Sequence, residues 1–536
     1  MSKKKQIRKK RFQIKPVVVD SSLSNESVLS SLRGGWATIK PRNRHWIVNV
    51  VVGIAIGLVL LYFHSSKPLI AAQNSALDKM MRINAKWDVS PNPNKIPPLQ
   101  TYIDIDDTTW RSAWWDGGEP YRAPRGKLLE LIAKSFEQGA KQVVLDILVE
   151  GESNRQNEVA SDRQFADGLL KLLEQKGEDG KLILGNDRQL ILVRSLRAPI
   201  DNSAILGDHK KESSSDVIQY LNQLRASPAV DEVVKKSQGR IAIAAPYFTR
   251  SEDLILRDWE LFQLVCQPFS DGRSGQVRIV PSVQLLILSK YLNVQLPNPS
   301  LENQHNCMSF GSTINEHSLK AEQRPESGEV SSIQKIYSSY WKSLSNEFSG
   351  AIRFAEHVPH IGDVGNRIVF RSEFPFQKDD GFFKTLRPED LLNLKSTDSL
   401  QGQIVIIGQS FRESGDMHET PLGLIPGSVV IMNSIDSIIR YGLISPPNKA
   451  IILLLELISI VFVGYVYARW DSVLGTVICT TVILSIFAGG SFYLFRYGVW
   501  LDFALPLVGI QLHRIIKSFE EWVERSGNSN QHNELH

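Results

Sequence analysis

The chain has 536 residues, of which 42% are hydrophobic, 22% charged and 9% aromatic. That balance excludes a disordered, collagen-like or disulfide-stapled chain, and three cysteines cannot build a cysteine-ligated zinc array. The net charge of +4 hides an asymmetry: residues 1–45 hold twelve Lys or Arg against Asp20 and Glu26, so residues 46–536 are net acidic. Positive charge confined to a tail argues against nucleic acid as a partner.

The basic tail runs into an apolar segment, 46–63, interrupted by Asn49 and flanked by Trp46 and Tyr62, the aromatic types that favour membrane interfaces. Lys and Arg are retained on the cytoplasmic side, so residues 1–45 are expected in the cytoplasm. The run exceeds the h-region of a cleaved leader, which favours an uncleaved anchor. Lipid attraction by the same tail is a second expectation.

Beyond the anchor, 99–105 reads as a strand, 124–138 as an amphipathic helix opened by Pro124, and 142–149 as a buried strand. This β-α-β pattern implies a parallel pair with a crossover helix. Further strands are expected at 181–184, 189–193, 240–244, 367–370 and 403–407, and helices at 162–174, 282–292 and 432–441. The polar stretches 150–162, 194–239 and 295–350 read as insertions or loops. The Pro-rich pieces 90–98 and 445–449 read as stiff linkers.

Three more apolar segments follow, at 450–468, 473–495 and 500–517, joined by four-residue connections. The expected fold class is an α/β extracytoplasmic domain with a mainly parallel sheet, plus four transmembrane α-helices. The expected order is a cytoplasmic tail (1–45), a span (46–63), the outer domain (64–449), three spans (450–468, 473–495, 500–517) and a cytoplasmic tail (518–536). The location expected is the inner membrane. Neither tail has room for a kinase, cyclase or phosphodiesterase, so any cytoplasmic output is expected to need a partner.

Several motifs then resemble one family. The run from Tyr102 to Asp107 (YIDIDD) precedes a cluster of Trp114, Trp115, Pro120, Pro124 and Arg125, then Gly139 to Ile147 (GAKQVVLDI). Near the far end, Ile404 to Gly408 precedes Asp416, His418, Thr420, Pro421 and Gly423, then Pro426-Gly427, then Asn433, Ile435, Asp436 and Ser437. Jointly these resemble the CHASE type 2 (CHASE2) extracellular sensor domain, over roughly residues 65–518. A helix bearing Asp78 and Arg82 after the first span fits as well. The chain departs from the family pattern at Val429 and Ile431, where an acidic residue and a His are usual. The resemblance implies a stimulus sensor that regulates kinases, cyclases or similar outputs, and it carries no ligand class.

On their own terms, Asp104, Asp106 and Asp107 leave the first strand at its carboxyl end, and Asp146 lies in the second. The strand ending at Gly408 leads into a loop with Ser410, Arg412, Asp416 and His418. If these strands are neighbours, the groups converge where parallel sheets bind ligands. They can then hold a divalent cation through oxygen ligands or a small polar ligand. The alternative is that Asp106 and Asp107 cap a helix or pair with Arg125, and that His418 is an ordinary loop residue. Gly408 reads as a tight turn. No GxGxxG, P-loop, HExxH or GxSxG motif is present. Glu456, inside an apolar segment, is expected to face the interior of the helix bundle. Pairing of Cys266 with Cys307 is left open.

The function expected is a non-enzymatic membrane sensor. The alternatives are an extracytoplasmic metal-dependent hydrolase or a structural envelope or assembly factor. The partners expected are membrane lipid, a separate cytoplasmic signalling enzyme or adaptor, an unidentified small ligand and, left open, a second copy of the chain. No cofactor or metal is assigned.

Overall fold

The computed structural model describes residues 40–63, 66–87, 99–115, 123–149, 156–177, 180–197, 223–224, 227–251, 253–267, 276–297, 332–349, 351–352, 354, 364–376, 383–395, 399–502 and 504–533. Most of the basic tail, the whole 90–98 linker and Cys307 lie outside them. In chain order the elements are α1 (Pro41–Tyr62), α2 (Lys67–Trp87), β1 (Gln100–Ile105), α3 (Asp107–Trp110), α4 (Arg125–Glu137), β2 (Gln142–Leu145), α5 (Gln156–Glu174), β3 (Gln189–Val193), β4 (Leu196–Arg197), β5 (Gln223–Leu224), α6 (Pro228–Lys236), β6 (Ile241–Ala244) and β7 (Phe248–Arg250). There follow β8 (Leu256–Trp259), β9 (Phe262–Gln267), β10 (Gln276–Pro281), α7 (Val283–Leu292), α8 (Ser332–Glu347), β11 (Phe383–Leu386), α9 (Pro388–Leu392), β12 (Ile404–Gln409), β13 (Met417–Thr420), β14 (Gly423–Pro426), α10 (Gly427–Tyr441), α11 (Lys449–Tyr467), α12 (Ser472–Phe495) and α13 (Ala504–Asn533).

The chain divides into two compact units: one of Met1–Leu69, Ala450–Ser485 and Leu505–His536, the other of Ile70–Lys449 and Ile486–Ala504. The second unit is built on a six-stranded sheet in the order β11-β1-β12-β2-β3-β6, parallel throughout. Its strands are apolar on both faces because helices cover both. Ile103, Val143, Leu145, Val405 and Ile407 meet the Leu128, Leu131, Ile132 and Phe136 stripe of α4, with Phe165 and Leu169 of α5. Tyr102, Val144 and Ile406 face the opposite cluster, which includes α7 and α10. Thus β1 feeds a helix on one face and β12, its neighbour, feeds a helix on the other.

Helix α10 is buried along its whole length, polar residues included. Its polar side chains explain why 367–370, expected as a strand, is not one. The Val369 amide donates to Ser437 Oγ (3.0 Å), and the Arg371 and Ser372 amides donate to Asn433 Oδ1 (2.8 and 3.0 Å). The helix takes the hydrogen bonds that a neighbouring strand would have taken, leaving one isolated bridge between Asp258 and Arg367.

Other expectations are corrected. β1 and β2 are parallel but not adjacent, because β12 lies between them. The 181–184 segment is a turn with a single bridge from Lys176 to Leu182. The stretches read as loops contribute α6, α8 and the opening of α5. An antiparallel region absent from the sequence reading comprises the β10-β9-β5-β4 sheet, in which β5 and β9 alone are parallel, and the β7–β8 hairpin.

In this unit buried cations meet carboxylates, most of them buried and Asp253 exposed. Arg257 of β8 donates to Asp78 of α2 (2.7 Å from Nη2) and to Asp253 (2.7 Å from Nη1). Arg367 lies 3.1 Å from Asp258 and Arg440 2.7 Å from Asp436.

Three helices are long and apolar enough to cross a membrane, with windows at Asn43–Leu60, Ala450–Tyr467 and Ser472–Phe495; the first two lie in the first unit. Helices α1 and α11 approach closely: a Cβ on Gly464 would sit 2.7 Å from Val50 Cγ2, and one on Gly53 2.9 Å from Ile460 Cγ2. The fourth expected span falls on the opening of α13, which is not among the three. Polar residues enter that helix from Gln511 onward. Glu456 is exposed on α11.

Candidate functional site at the strand ends

Asp104 and Gly408 are register partners on β1 and β12. Asp146 continues β2 beside them, its amide donating to Ile407 O (2.9 Å). Side chains alternate along each strand, so Tyr102, Asp104, Gly408 and Asp146 belong to one face of the sheet. Two carboxylates therefore flank a position with no side chain. The gap is filled from above: a Cβ on Gly408 would overlap the Ser428 side chain and approach Tyr102 Cε2 to 3.3 Å. Gly408 is thus not the expected tight turn but a strand residue over which the start of α10 closes.

Ser428 donates its hydroxyl hydrogen to Asp146 Oδ2 at 2.7 Å. Asp416 reaches the same helix start. Its backbone oxygen accepts from Gly427 N (2.8 Å), and a Cβ on Gly427 would lie 2.5–2.9 Å from its carboxyl group. The first amides of a helix favour negative charge, which offsets part of the cost of gathering acids here. His418, on β13, places Nε2 3.2 Å from Asp416 Oδ1, and its Nδ1 lies 3.0 Å from Arg250 Nη2.

Asp104 is 6% exposed, and burial pushes its carboxyl up to about 6. The nearby Ser410 and Tyr102 hydroxyls oppose that rise, Asp106 adds to it, and Arg387 lowers it. Burial and the charge of Asp416 push Asp146 up to about 7, with the Ser428 hydroxyl pulling the other way, although part of the residue still meets solvent. Tyr102 is raised well above the usual phenol value by burial and then by Asp104, with smaller contributions from Asp146 and Asp416. Its hydroxyl is buried and near enough to Asp104 for the two titrations to interact, yet the geometry falls short of a full hydrogen bond, and Asp104 Oδ1 is likewise unsatisfied.

The crevice therefore joins Asp104, Asp146, Ser410, Asp416 and His418 from the expected set. The others serve elsewhere. Asp106 caps α3 by accepting from the Thr109 amide (2.7 Å) and lies 3.1 Å from Arg387. Asp107 meets Arg111 at the surface (3.9 Å). Arg125 lies 3.8 Å from Asp162 of α5 and donates to Leu148 O, so it does not pair with Asp106 or Asp107 as the alternative had it. Tyr102, Arg250, Ser428 and the bare Gly408 escaped the sequence reading. Tyr102 was signalled by its place two residues before Asp104 on the same strand face, and Ser428 by following Pro-Gly; nothing local announces Arg250.

Among the described residues no group of three or more His, Cys, Asp or Glu side chains is arranged to hold a metal ion. What the crevice can do is retain protons near neutrality or receive a small polar group at the carboxyl ends of the strands, where neighbouring strands send their connections to opposite faces. The family model for the CHASE2 domain matches residues 52–468, most of the chain. Neither the curated proteins nor the solved structures contain a match.

Proposed function

Because the chain belongs to the CHASE2 domain family, a family of sensor domains, we propose that it is an integral-membrane sensor. In this reading the large α/β unit lies outside the cytoplasm, receives its stimulus at the strand-end crevice and signals through a separate cytoplasmic enzyme or adaptor. The observation that carries the proposal is the pairing of one large sensor-family unit with three helices apolar enough to cross a membrane. The basic tail supports a cytoplasmic N-terminus. For the C-terminus to return to that side, α13 must supply the fourth crossing from its first turns.

Two measurements test this. A reporter active only in the cytoplasm is expected to be silent when fused after Ile200 and active when fused after His536. Activity after Ile200 overturns the orientation. Affinity purification of the intact chain from membranes is expected to recover a cytoplasmic signalling protein, and His418→Ala or Asp146→Asn is expected to change that protein's output while expression stays normal. Unchanged output in both variants removes the crevice from the sensing role.

A further inference from the structure

The β13–β14 hairpin is a small sheet of its own, separate from the six-stranded one. Its strands pair from Met417 with Pro426 to Thr420 with Gly423. The Thr420 hydroxyl closes the turn, donating to Gly423 O (2.7 Å) and accepting from Leu422 N (3.3 Å). Two short strands so fastened move as one piece, about 10 Å from end to end. The open end lies at the crevice, where Asp416 O accepts from Gly427 N. The turn lies at α2, where Arg82 Nε donates to Pro421 O at 2.7 Å.

A second hairpin makes the same connection by another route. His418 places Nε2 toward Asp416 and Nδ1 toward Arg250 of β7. A guanidinium only donates, so Nδ1 accepts and the imidazole hydrogen belongs on Nε2, directed at Asp416. Arg250 pairs across the β7–β8 hairpin with Leu256. The next residue, the buried Arg257, donates to Asp78 of α2 from Nε (3.0 Å) and Nη2 (2.7 Å). Leu256 and Trp259 share a core cluster with Leu77, Met80 and Met81 of α2.

Both routes arrive on one face of α2, because Asp78 and Arg82 are four residues apart on that helix. Burying the Asp78–Arg257 pair carries a desolvation cost that an apolar pair avoids, so stability alone is a weak reason for it. What the pair does fix is the register of β8 against α2. Helix α2 follows α1 after residues 63–66, and α1 is the first of the helices apolar enough to cross a membrane.

The crevice supplies a force on the first hairpin. Asp146 and Asp416 both reach the start of α10, at Ser428 and Gly427. Among the described residues, their titratable and charged neighbours are Tyr102 and Asp104 of β1, His418 of β13 and Arg250 of β7. Two carboxylates so placed repel when both are ionised. Asp146 belongs to the main sheet, whereas Asp416 leads into β13. A proton or a small cation in the crevice removes the repulsion and lets Asp416 and its hairpin settle; full ionisation pushes them off.

We propose that the two hairpins couple the strand-end crevice to α2, the charge held at Asp146 and Asp416 setting how firmly Arg82 and Asp78 are gripped. The proposal rests on the sensing role given to the crevice above and names its regulation. Such coupling is a free energy shared between two places, so one perturbation must change the effect of another.

The test is native-state hydrogen exchange of the purified full-length chain at pH 8, read in peptides covering α2 and, as a control on the other face of the sheet, α5. Asp146→Asn removes charge from the crevice without touching either hairpin. It is expected to slow exchange several-fold more in α2 than in α5. In a chain carrying Arg82→Met and Arg250→Met, the same Asp146→Asn is expected to affect α2 and α5 alike. Either tie-cutting variant alone is expected to shrink the α2 excess, and serves if the double variant does not fold. An equal response of α2 and α5 in the parent, or an α2 excess that survives the cutting of both ties, overturns the coupling. The sensing role is judged separately by the partner's output. Output that changes in Asp146→Asn while α2 gives no excess overturns the coupling and keeps the crevice as sensor. An α2 excess with unchanged output supports the coupling and removes the sensing role.

Discussion

Two charged regions of the sheet-bearing unit are built on opposite terms. Around Arg257, Arg367 and Arg440, buried cations meet the buried Asp78, Asp258 and Asp436 and the exposed Asp253 at 2.7–3.1 Å. At the strand ends, Asp104, Asp146 and Asp416 are gathered with hydroxyls, a histidine and one another, and among the described residues no guanidinium touches Asp146. The paired region holds its charge fixed: Arg257 keeps the Asp253 carboxyl below the usual range through their hydrogen bonds. The strand-end region leaves its charge negotiable, with two carboxyls lifted toward neutrality chiefly by burial. Perturbed acids in a crevice at a point where strand connections diverge mark a functional site better than satisfied ion pairs do.

The contrast breaks most visibly at Arg257. Arg257→Met removes the partner of Asp78 and Asp253, and a buried carboxylate left alone is expected to cost about 3–5 kcal/mol in thermal unfolding of the purified full-length chain. A loss no greater than that of a surface substitution would mean that the network is ornamental.

Next comes Gly408→Ala, which forces a methyl into Ser428 and is expected to destabilise by about 1–3 kcal/mol. Adding Ser428→Gly should recover part of the loss. Without any recovery, the helix start does not close over Gly408 as described.

Asp146→Asn should act with the opposite sign, stabilising by about 1–2 kcal/mol at pH 8 and by little at pH 5. The sign follows from linkage. A carboxyl whose folded value is raised binds more protons folded than unfolded, so stability falls as pH climbs from the unfolded value of about 3.9 through the folded one, about 7 for Asp146. The parent chain should therefore lose melting temperature between pH 5 and pH 8, and the variant should lose less. Equal slopes would return Asp146 to an ordinary surface acid.

The smallest effect is expected at Asp107→Ala, which removes an exposed 3.9 Å pair and should change stability by no more than about 0.5 kcal/mol.

What could be read from the sequence follows the same division. The apolar runs at 142–145, 189–193, 241–244 and 404–407 are legible because strands buried on both faces have no polar alternation to blur them. The convergence of Asp104, Asp146 and Asp416 was legible only as a condition, since no local signal says that β12, far along the chain, inserts between β1 and β2. Residues 367–370 look like a strand by composition and fail to be one because Asn433 and Ser437, on a distant helix, take their amides. Asp106, Asp107 and Asp104 look alike in sequence; alternation along β1 turns Asp104 inward, and the turn into α3 sends the other two to capping and surface pairing.

The central claim is that Asp104 and Asp146 at the strand ends carry protons near neutral pH whereas Asp253, paired with Arg257, does not. Infrared titration of the purified full-length chain tests it directly, by following the stretch of protonated carboxyl groups from pH 5 to pH 8. The predicted result is a band that fades with midpoints near 6 and 7 and shrinks in Asp104→Asn and Asp146→Asn but not in Asp253→Asn. A spectrum with no protonated carboxyl above pH 5, or a band untouched by both strand-end variants, would contradict it.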